Sequence, residues 1–298
     1  MSPWSNSPVA IGVGTREIVV GVRAPGLWHP RKHLPAAEPV SVAIPDEQFG
    51  SEAGVLDALR AALATQPGAA AAADAPTSAA KPLKRSAHVV LDDFWCHHAI
   101  LRGDFRTLRM RELEEIAHAH FSDTYGIDGA SLVVRFCVQH GGRALFASAM
   151  SRTLHDGMHD LGASGDVRIR SLRACLPEML NRVAVNTDGD ALLLFVADEL
   201  LQAVMIERGG WAAYDAQRLF PGDASDVSRL AEIAEQLFER SATRSGLKRE
   251  DCNVYLCGID TDPAPFEALF EARFAAVKLP AMPANDGSPA RRLMEYAQ

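Results

Sequence analysis

The stretch "AIGVGTREIVVGV", from Ala10 to Val22, decides how the chain begins. Apolar β-formers run on both sides of Gly14, and the only charges, Arg16 and Glu17, fall together after it. This pattern predicts two short strands, Ile11–Val13 and Glu17–Val22, closing into a hairpin at the glycine. "VSVAIP" (Val40–Pro45) adds a third strand through its period-two alternation. A helix follows over about Ser51–Ala64, with Val55, Leu56, Leu59 and Leu63 on one face and Ser51 as N-cap.

Beyond that helix lies "QPGAAAAADAPTSAAKPLKRSA", residues 66–87. Alanine favours helix, but Pro67, Gly68, Pro76 and Pro82 break the run, so it reads as a linker or long surface loop. "AHVVLDDFWCHHAIL" then supplies two strands divided at Asp92-Asp93. "RMRELEEIAHAHFSDTYG" supplies a helix over about Met110–Phe121, with Leu113, Ile116, Ala117 and Phe121 inward and Gly126 as terminator. Strands at Ser131–Val138 and Ala144–Ser148, a helix over Ser151–Leu161 and the strand "DVRIRSL" follow.

A similar order then begins again. Val183–Asn186, Ala191–Val196 and Leu200–Glu207 read as a meander with turns at Asp188-Gly189 and Asp198-Glu199, closed by Arg208-Gly209-Gly210. A helix over about Ser225–Arg240, the strand "NVYLCG", a helix over Pro265–Phe274 and the strand "AAVKL" complete the second half. The repeat is one of pattern, without residue-level repetition. Meander plus alternating helix and strand, twice over, predicts an α/β chain with a mixed sheet and packed helices in each half. Two such halves facing each other imply a cleft.

Composition narrows the class of function. The 298 residues are 48% hydrophobic and 23% charged, ordinary for a globular chain. A net charge of −8 argues against nucleic acid as the main partner, since phosphate binding calls for a basic face. The opening "MSPWSNSPVAIG" lacks the basic and apolar segments of a signal peptide. "ALLLFVA" (Ala191–Ala197) is far shorter than the roughly 18 apolar residues of a membrane span. A cytoplasmic location is therefore expected. The five cysteines form no C-x-x-C pair and are expected to be reduced, mostly buried thiols.

His155 and His159 in "LHDGMHD" share a helical face with Asp156 and Asp160 beside them, a spacing that can chelate a metal. Gly157 weakens that helix, so a solvated face is expected and no metal is assigned. His97 and His98 point to opposite faces of one strand and cannot share an ion; His118 and His120 lie near them in sequence. Cys96 has no orienting carboxylate at a definite spacing for a Cys-His nucleophile. Asp92-Asp93 and Asp223 sit in turns, where aspartate bonds local backbone.

The opening hairpin, the segment from His88 to Gly126 and "VNTDGDALLLFVADELLQAVMIERGG" together resemble the actin-like ATPase fold. Within it they resemble the PilM-like and GspL-like cytoplasmic components of type IV pilus and type II secretion platforms. The likeness covers residues 9 to 280 or so and rests on element order. It implies an actin-like, ribonuclease H-like pair of domains: a first half over 1–170 with a small inserted subdomain at about 88–150, a second half over 171–280, and a C-terminal tail over 281–298.

The resemblance also locates the nucleotide turns, at Gly12, Gly14 and Thr15, at Asp188 and Gly189, and at Gly258. Active relatives carry an aspartate where Gly12 stands, an Asp-x-Gly where Asp188 directly precedes Gly189, and a glycine pair where Gly258 is followed by Ile259. These departures imply a non-catalytic pseudo-ATPase with no cofactor, or only weak residual Mg-ATP binding; the alternative is an active ATPase or kinase of the same fold. The implied partner is a membrane-anchored platform protein that would hold the chain at the inner membrane. The inserted helix would offer Arg111, Glu114, Glu115 and His118 to it. From the breakers in residues 66–87, trypsin is expected to cut first at Lys81 and Lys84; protection of both, with earlier cleavage elsewhere, would show a packed segment.

Overall fold

The computed structural model describes residues 8–22, 38–65, 85–164, 167–182, 189–197, 199–245, 248, 252–257, 264–274, 277–278 and 288–297. β1 (Val9–Val13) and β2 (Glu17–Val22) form the opening hairpin, and β3 (Val40–Ala43) pairs with β2. α1 (Glu52–Thr65) begins just after Ser51, whose carbonyl accepts the Val55 amide, and buries Val55, Ala58, Leu59 and Ala62. Most of the expected linker, 66–84, lies outside the described residues. Its last three residues do not belong to it: β4 spans Arg85–Leu91, because Ala87, Val89 and Leu91 alternate into the core.

Then come β5 (Cys96–Arg102), α2 (Met110–Tyr125), β6 (Leu132–Gln139), β7 (Ala144–Ser151), α3 (Arg152–Ser164), β8 (Val167–Ala174) and α4 (Cys175–Arg182). Gly126 ends α2 in the left-handed region, φ 66°, as its place after the apolar stripe implied. The second half holds β9 (Ala191–Val196), β10 (Leu200–Glu207), β11 (Gly210–Arg218), α5 (Val227–Ser245), β12 (Asn253–Cys257), α6 (Ala264–Phe274), β13 (Val277–Lys278) and α7 (Pro289–Tyr296).

Among the described residues two five-stranded sheets result, ordered β3-β2-β1-β4-β8 and β11-β10-β9-β12-β13. In each, the first three strands are an antiparallel meander and the last two run parallel to the first. The repeat of pattern in the sequence is thus a repeat of topology. A third sheet, β5-β7-β6, carries α2.

The chain forms two compact units. One comprises Met1–Cys96, Met150–Met179 and Asp286–Gln298; the other comprises His97–Ala149 and Leu180–Asn285. In the first, Val9, Ile11, Val13, Ile18 and Val20 point to one face of the sheet and pack with Val55, Leu59, Leu154 and Met158 of α1 and α3. α7 packs over β1 and β2. Residues 281–298 were expected as a tail, yet Ser288 caps a helix there, Pro289 starts it, and Ala290, Leu293, Met294 and Tyr296 are buried.

In the second unit, Leu192, Leu194, Leu230, Ile233, Ala234, Leu237 and Phe270 form the core between sheet and helices. The inserted sheet belongs to this unit although it interrupts the first half of the sequence. His98 is buried, takes part in a 2.8 Å hydrogen bond between its Nδ1 and Ser148 Oγ, and meets the Tyr214 ring edge-on at 5.4 Å. Tyr214 donates its hydroxyl to Gln202 Oε1 at 3.0 Å, and Phe146 meets Trp211 at 5.3 Å. A buried polar cluster satisfied in this way specifies one seating of the insert on β10 and β11.

The second meander departs from its expected register. Val183–Asn186 lies outside the described residues, and the third strand is β11 rather than a strand before β9. Arg208-Gly209 is the two-residue hairpin turn leading into it, both residues at positive φ (51° and 75°). The Arg208 amide donates to Asp190 Oδ1 at 2.8 Å, which holds a non-glycine residue in that conformation.

His97, on the strand face opposite His98, stacks on Tyr125 at 4.2 Å. Burial, then His98 and Arg218, hold its pKa below the usual histidine value of 6.5. The folded state therefore binds this proton less readily than the unfolded chain, so His97 costs nothing above about pH 6.5 and destabilises the fold as pH falls below it. Thermal unfolding between pH 7.5 and 5.0 should show a falling midpoint, and His97→Gln should make the fall shallower. Identical slopes for the two proteins would show that His97 does not contribute.

Candidate functional site

The opening hairpin is tightly engaged with its own surroundings. The Gly14 amide donates to the Glu17 carbonyl at 3.0 Å, and the Gly14 carbonyl accepts from Trp95 Nε1 at 3.1 Å. Beside it, the Asp92 amide donates to the Val13 carbonyl at 2.8 Å. Thr15 is buried. Both hydrogen-bonding groups of the turn glycine are therefore used within the protein.

Gly12 stands on the opposite sheet face from Ile11 and Val13, in register with Val19 of β2; Ala10 pairs with Gly21 on the same face. This face of small residues receives α7 at close range. A Cβ on Gly12 would lie 2.0 Å from the Ala290 carbonyl oxygen and 2.3 Å from the Met294 nitrogen. On Gly21 it would meet Met294 Sδ at 2.6 Å, and on Gly14 the Ala290 side chain at 3.2 Å. The place where the resemblance calls for an aspartate is filled by helix backbone. Gly12 is a packing residue, required because only hydrogen fits beneath α7.

The second hairpin lies elsewhere than expected. In the first half the turn follows β1 directly, and Gly14 N–H bonds to the carbonyl three residues on; in the second half Ala197 N–H bonds to the Leu200 carbonyl at 2.9 Å, directly after β9. Ala197 is thus the counterpart of Gly14, and Phe195 that of Gly12. Gly189, expected in the turn, instead precedes β9 and is exposed. The shift arises because β9 is the first strand of the meander, not the second. Asp188 and Gly258 lie outside the described residues. Phe195 is an aromatic side chain and fully buried, and this position also carries no carboxylate.

The acidic pair closest to the first hairpin is committed to backbone, as its turn position suggested. Asp92 Oδ1 accepts from the Phe94 amide at 2.8 Å, and Asp93 Oδ1 accepts from the Leu176 amide of α4 at 3.1 Å. Burial first, then Asp93 and Asp92, push the Cys96 thiol well above its ordinary pKa, which removes the thiolate that a nucleophile needs. Burial likewise pushes the Cys257 thiol up to about 12. His155 bonds to its neighbour Asp156 at 2.8 Å, and among the described residues no group of three or more His, Cys, Asp or Glu is placed to hold a metal. A magnesium nucleotide requires carboxylates to organise the ion, and the two strand-end positions at Gly12 and Phe195 do not fit it.

The candidate partner face is built on α2. Leu113, Ala117 and Phe121 are buried against Leu132 and Val134 of β6, with Ile116 packed at the edge of that cluster. This leaves Arg111, Glu114 and Glu115 exposed and His118 half-buried. Arg111 Nε donates to Glu115 Oε1 at 3.0 Å, one turn along. Among the described residues β6 borders only β7 in its sheet and no strand pairs with its other edge, and Arg135, Cys137 and Val138 are exposed on it. The sequence missed α7 and β11. "SP" before "ARRLMEYA" is an N-cap followed by proline at the first helical position, which could have signalled α7.

No protein-family model and no curated protein matches the chain. Solved structures do. A Bacteroides thetaiotaomicron protein described as having an actin-like ATPase fold and unknown function aligns at TM-score 0.61 and 7% identity, over 98% of this chain and 96% of its own. The PilM-PilN type IV pilus biogenesis complex aligns at TM-score 0.56 and 15% identity, over 98% and 94%. The cytoplasmic domain of EpsL, an inner membrane component of the type II secretion system of Vibrio cholerae, aligns at 0.46 and 12%, over 98% and 94%. The chain has the actin-like fold; at these identities the likeness extends to the fold alone.

Gly12→Ala forces a side chain against helix backbone, whereas Gly21→Ala meets only the flexible end of Met294. Denaturant unfolding should therefore register a loss of about 1–3 kcal/mol for Gly12→Ala and a smaller one for Gly21→Ala. Equal stability of Gly12→Ala and the wild type would mean that α7 does not pack on β1.

Proposed function

We propose that this protein is a non-catalytic scaffold with an actin-like fold, which docks to a membrane-anchored partner at the platform of a type IV pilus or type II secretion machine. The observation that carries the non-catalytic part is the closure of the β1 face at Gly12 by the backbone of α7. Phe195 at the matching position of the second half supports it. Backbone amides at glycine turns can still hold a phosphate weakly, but without carboxylates they do not organise a metal-bound nucleotide.

The docking part draws on the fold shared with the PilM-PilN complex, in which one chain of this fold is joined to a second protein. Type II secretion enters through the sequence resemblance. Among the described residues no helix is long and apolar enough to cross a membrane, so a position at the inner membrane would be reached through the partner. The open edge of β6 can accept an extended segment by strand addition. Glu114 and Glu115, exposed on α2, the helix that packs against β6, would favour a segment with basic residues. Such rim charges act mainly on association rate and salt dependence.

Two measurements test the two parts separately. Calorimetric titration should give Mg-ATP binding weaker than about 100 μM, or roughly −5.5 kcal/mol; micromolar binding would overturn the non-catalytic reading and favour the ATPase or kinase alternative. Pull-down from native membranes should recover a platform protein with wild-type bait. The double reversal Glu114→Lys and Glu115→Lys should recover less of it, the difference shrinking at high salt. Equal recovery in every lane would remove α2 from the docking surface.

A further inference from the structure

Gly157 was expected to weaken the helix that carries His155 and His159, yet α3 runs unbroken from Arg152 to Ser164. The glycine serves packing: a Cβ there would meet Leu56 Cδ1 of α1 at 2.7 Å. Leu154 and Met158 are buried beneath the same helix, which fixes its rotation. His155 and His159, one turn apart, come to lie half-buried at the boundary of the core. Their ring centres are 4.7 Å apart with the planes tilted by 48°. His155 Nδ1 lies 2.8 Å from Asp156 Oδ1, and Asp160, next to His159, is exposed.

We infer that His155 and His159 together bind a divalent transition-metal ion of the imidazole-preferring class, with water completing its coordination. Two imidazoles sharing one ion at about 2.0–2.1 Å per nitrogen, in neighbouring coordination positions, hold their ring centres roughly 4.5–5.2 Å apart. The observed separation falls inside that range without a rotamer change. An ionised carboxylate only accepts, so the Nδ1 proton of His155 stays on the ring and Nε2 keeps the lone pair that a metal needs. A carboxylate behind a ligating histidine is the usual second partner of such a ring, and it raises the basicity of the ligand. Arg152, one turn earlier, opposes a cation here, and Asp156 and Asp160 offset it. Two protein ligands are fewer than a closed structural zinc site holds, so this ion is exchangeable and keeps open positions. Imidazole nitrogen selects zinc, copper or nickel over magnesium and calcium, which prefer oxygen. The site is separate from the docking surface on α2 and β6, and its outcome does not bear on that role.

The test is titration of the full chain with zinc chloride, and separately with magnesium chloride, at constant ionic strength and neutral pH. Binding is read by calorimetry and by the ring-nitrogen resonances of the histidines. Zinc should saturate below about 1 mM and shift the ring signals of His155 and His159 together, while magnesium shifts neither. His155→Gln and His159→Gln should each weaken zinc about tenfold or more. Asp156→Asn, which keeps both ligands, should weaken it by a smaller factor. Melting curves without metal establish that each variant is folded. An equal response to magnesium would assign the binding to the carboxylates and overturn the inference. So would zinc shifts confined to other histidines, no saturable response, or unchanged affinity in both histidine variants.

Discussion

The contact between α7 and Gly12 is the constraint on which the first unit rests. A helix seated so close to a strand tolerates no side chain beneath it, and β1 and β2 respond with Ala10, Gly12, Gly14 and Gly21 along that face. The opposite face of the same two strands is large and branched, with Ile11, Val13, Ile18 and Val20 in the core. One alternation thus serves two kinds of packing: side chains interdigitating with α1 and α3 on one side, and backbone against backbone on the other. The close approach explains why a position that resembles a catalytic aspartate is a glycine here. It is filled rather than merely vacated.

The first hairpin and the paired halves were legible because their signals are local. Branched residues around Gly14 define a hairpin by themselves, and the stripes on α1, α2 and α5 repeat at helical spacing. What escaped was set by partners distant in sequence. β11, with Ala212, Ala213 and Ala216 in its run, has modest strand propensity and is a strand because β10 pairs along its length. Placing the meander one strand too early then displaced the second turn from Ala197 to Gly189. α7 is short, and its reason to be helical is the glycine face it covers, over 260 residues earlier in the chain.

The candidate site divides in the same way. The exposure of Arg111, Glu114 and Glu115 followed from the apolar stripe of α2, since burying Leu113, Ala117 and Phe121 turns the other side of the helix outward. The spacing of His155 and His159 was legible, but the unbroken helix that carries them was not, because the room at Gly157 is taken by Leu56 of α1. The attachment of the inserted sheet to β10 and β11 was equally hidden, because it depends on His98 and Phe146 meeting Tyr214 and Trp211.

The first unit is assembled from three separate stretches of chain, the last of them α7. During synthesis its sheet can form as soon as β8 has emerged, but one face stays uncovered until residues 288–297 leave the ribosome. Through that interval the nascent chain exposes Ala10, Val19 and the glycines between them to water and to chaperones. Closure then depends on a contact of very long sequence separation, the kind that folds slowly because the loop entropy comes before the reward. Translation of the second half is, in effect, the waiting time of the first.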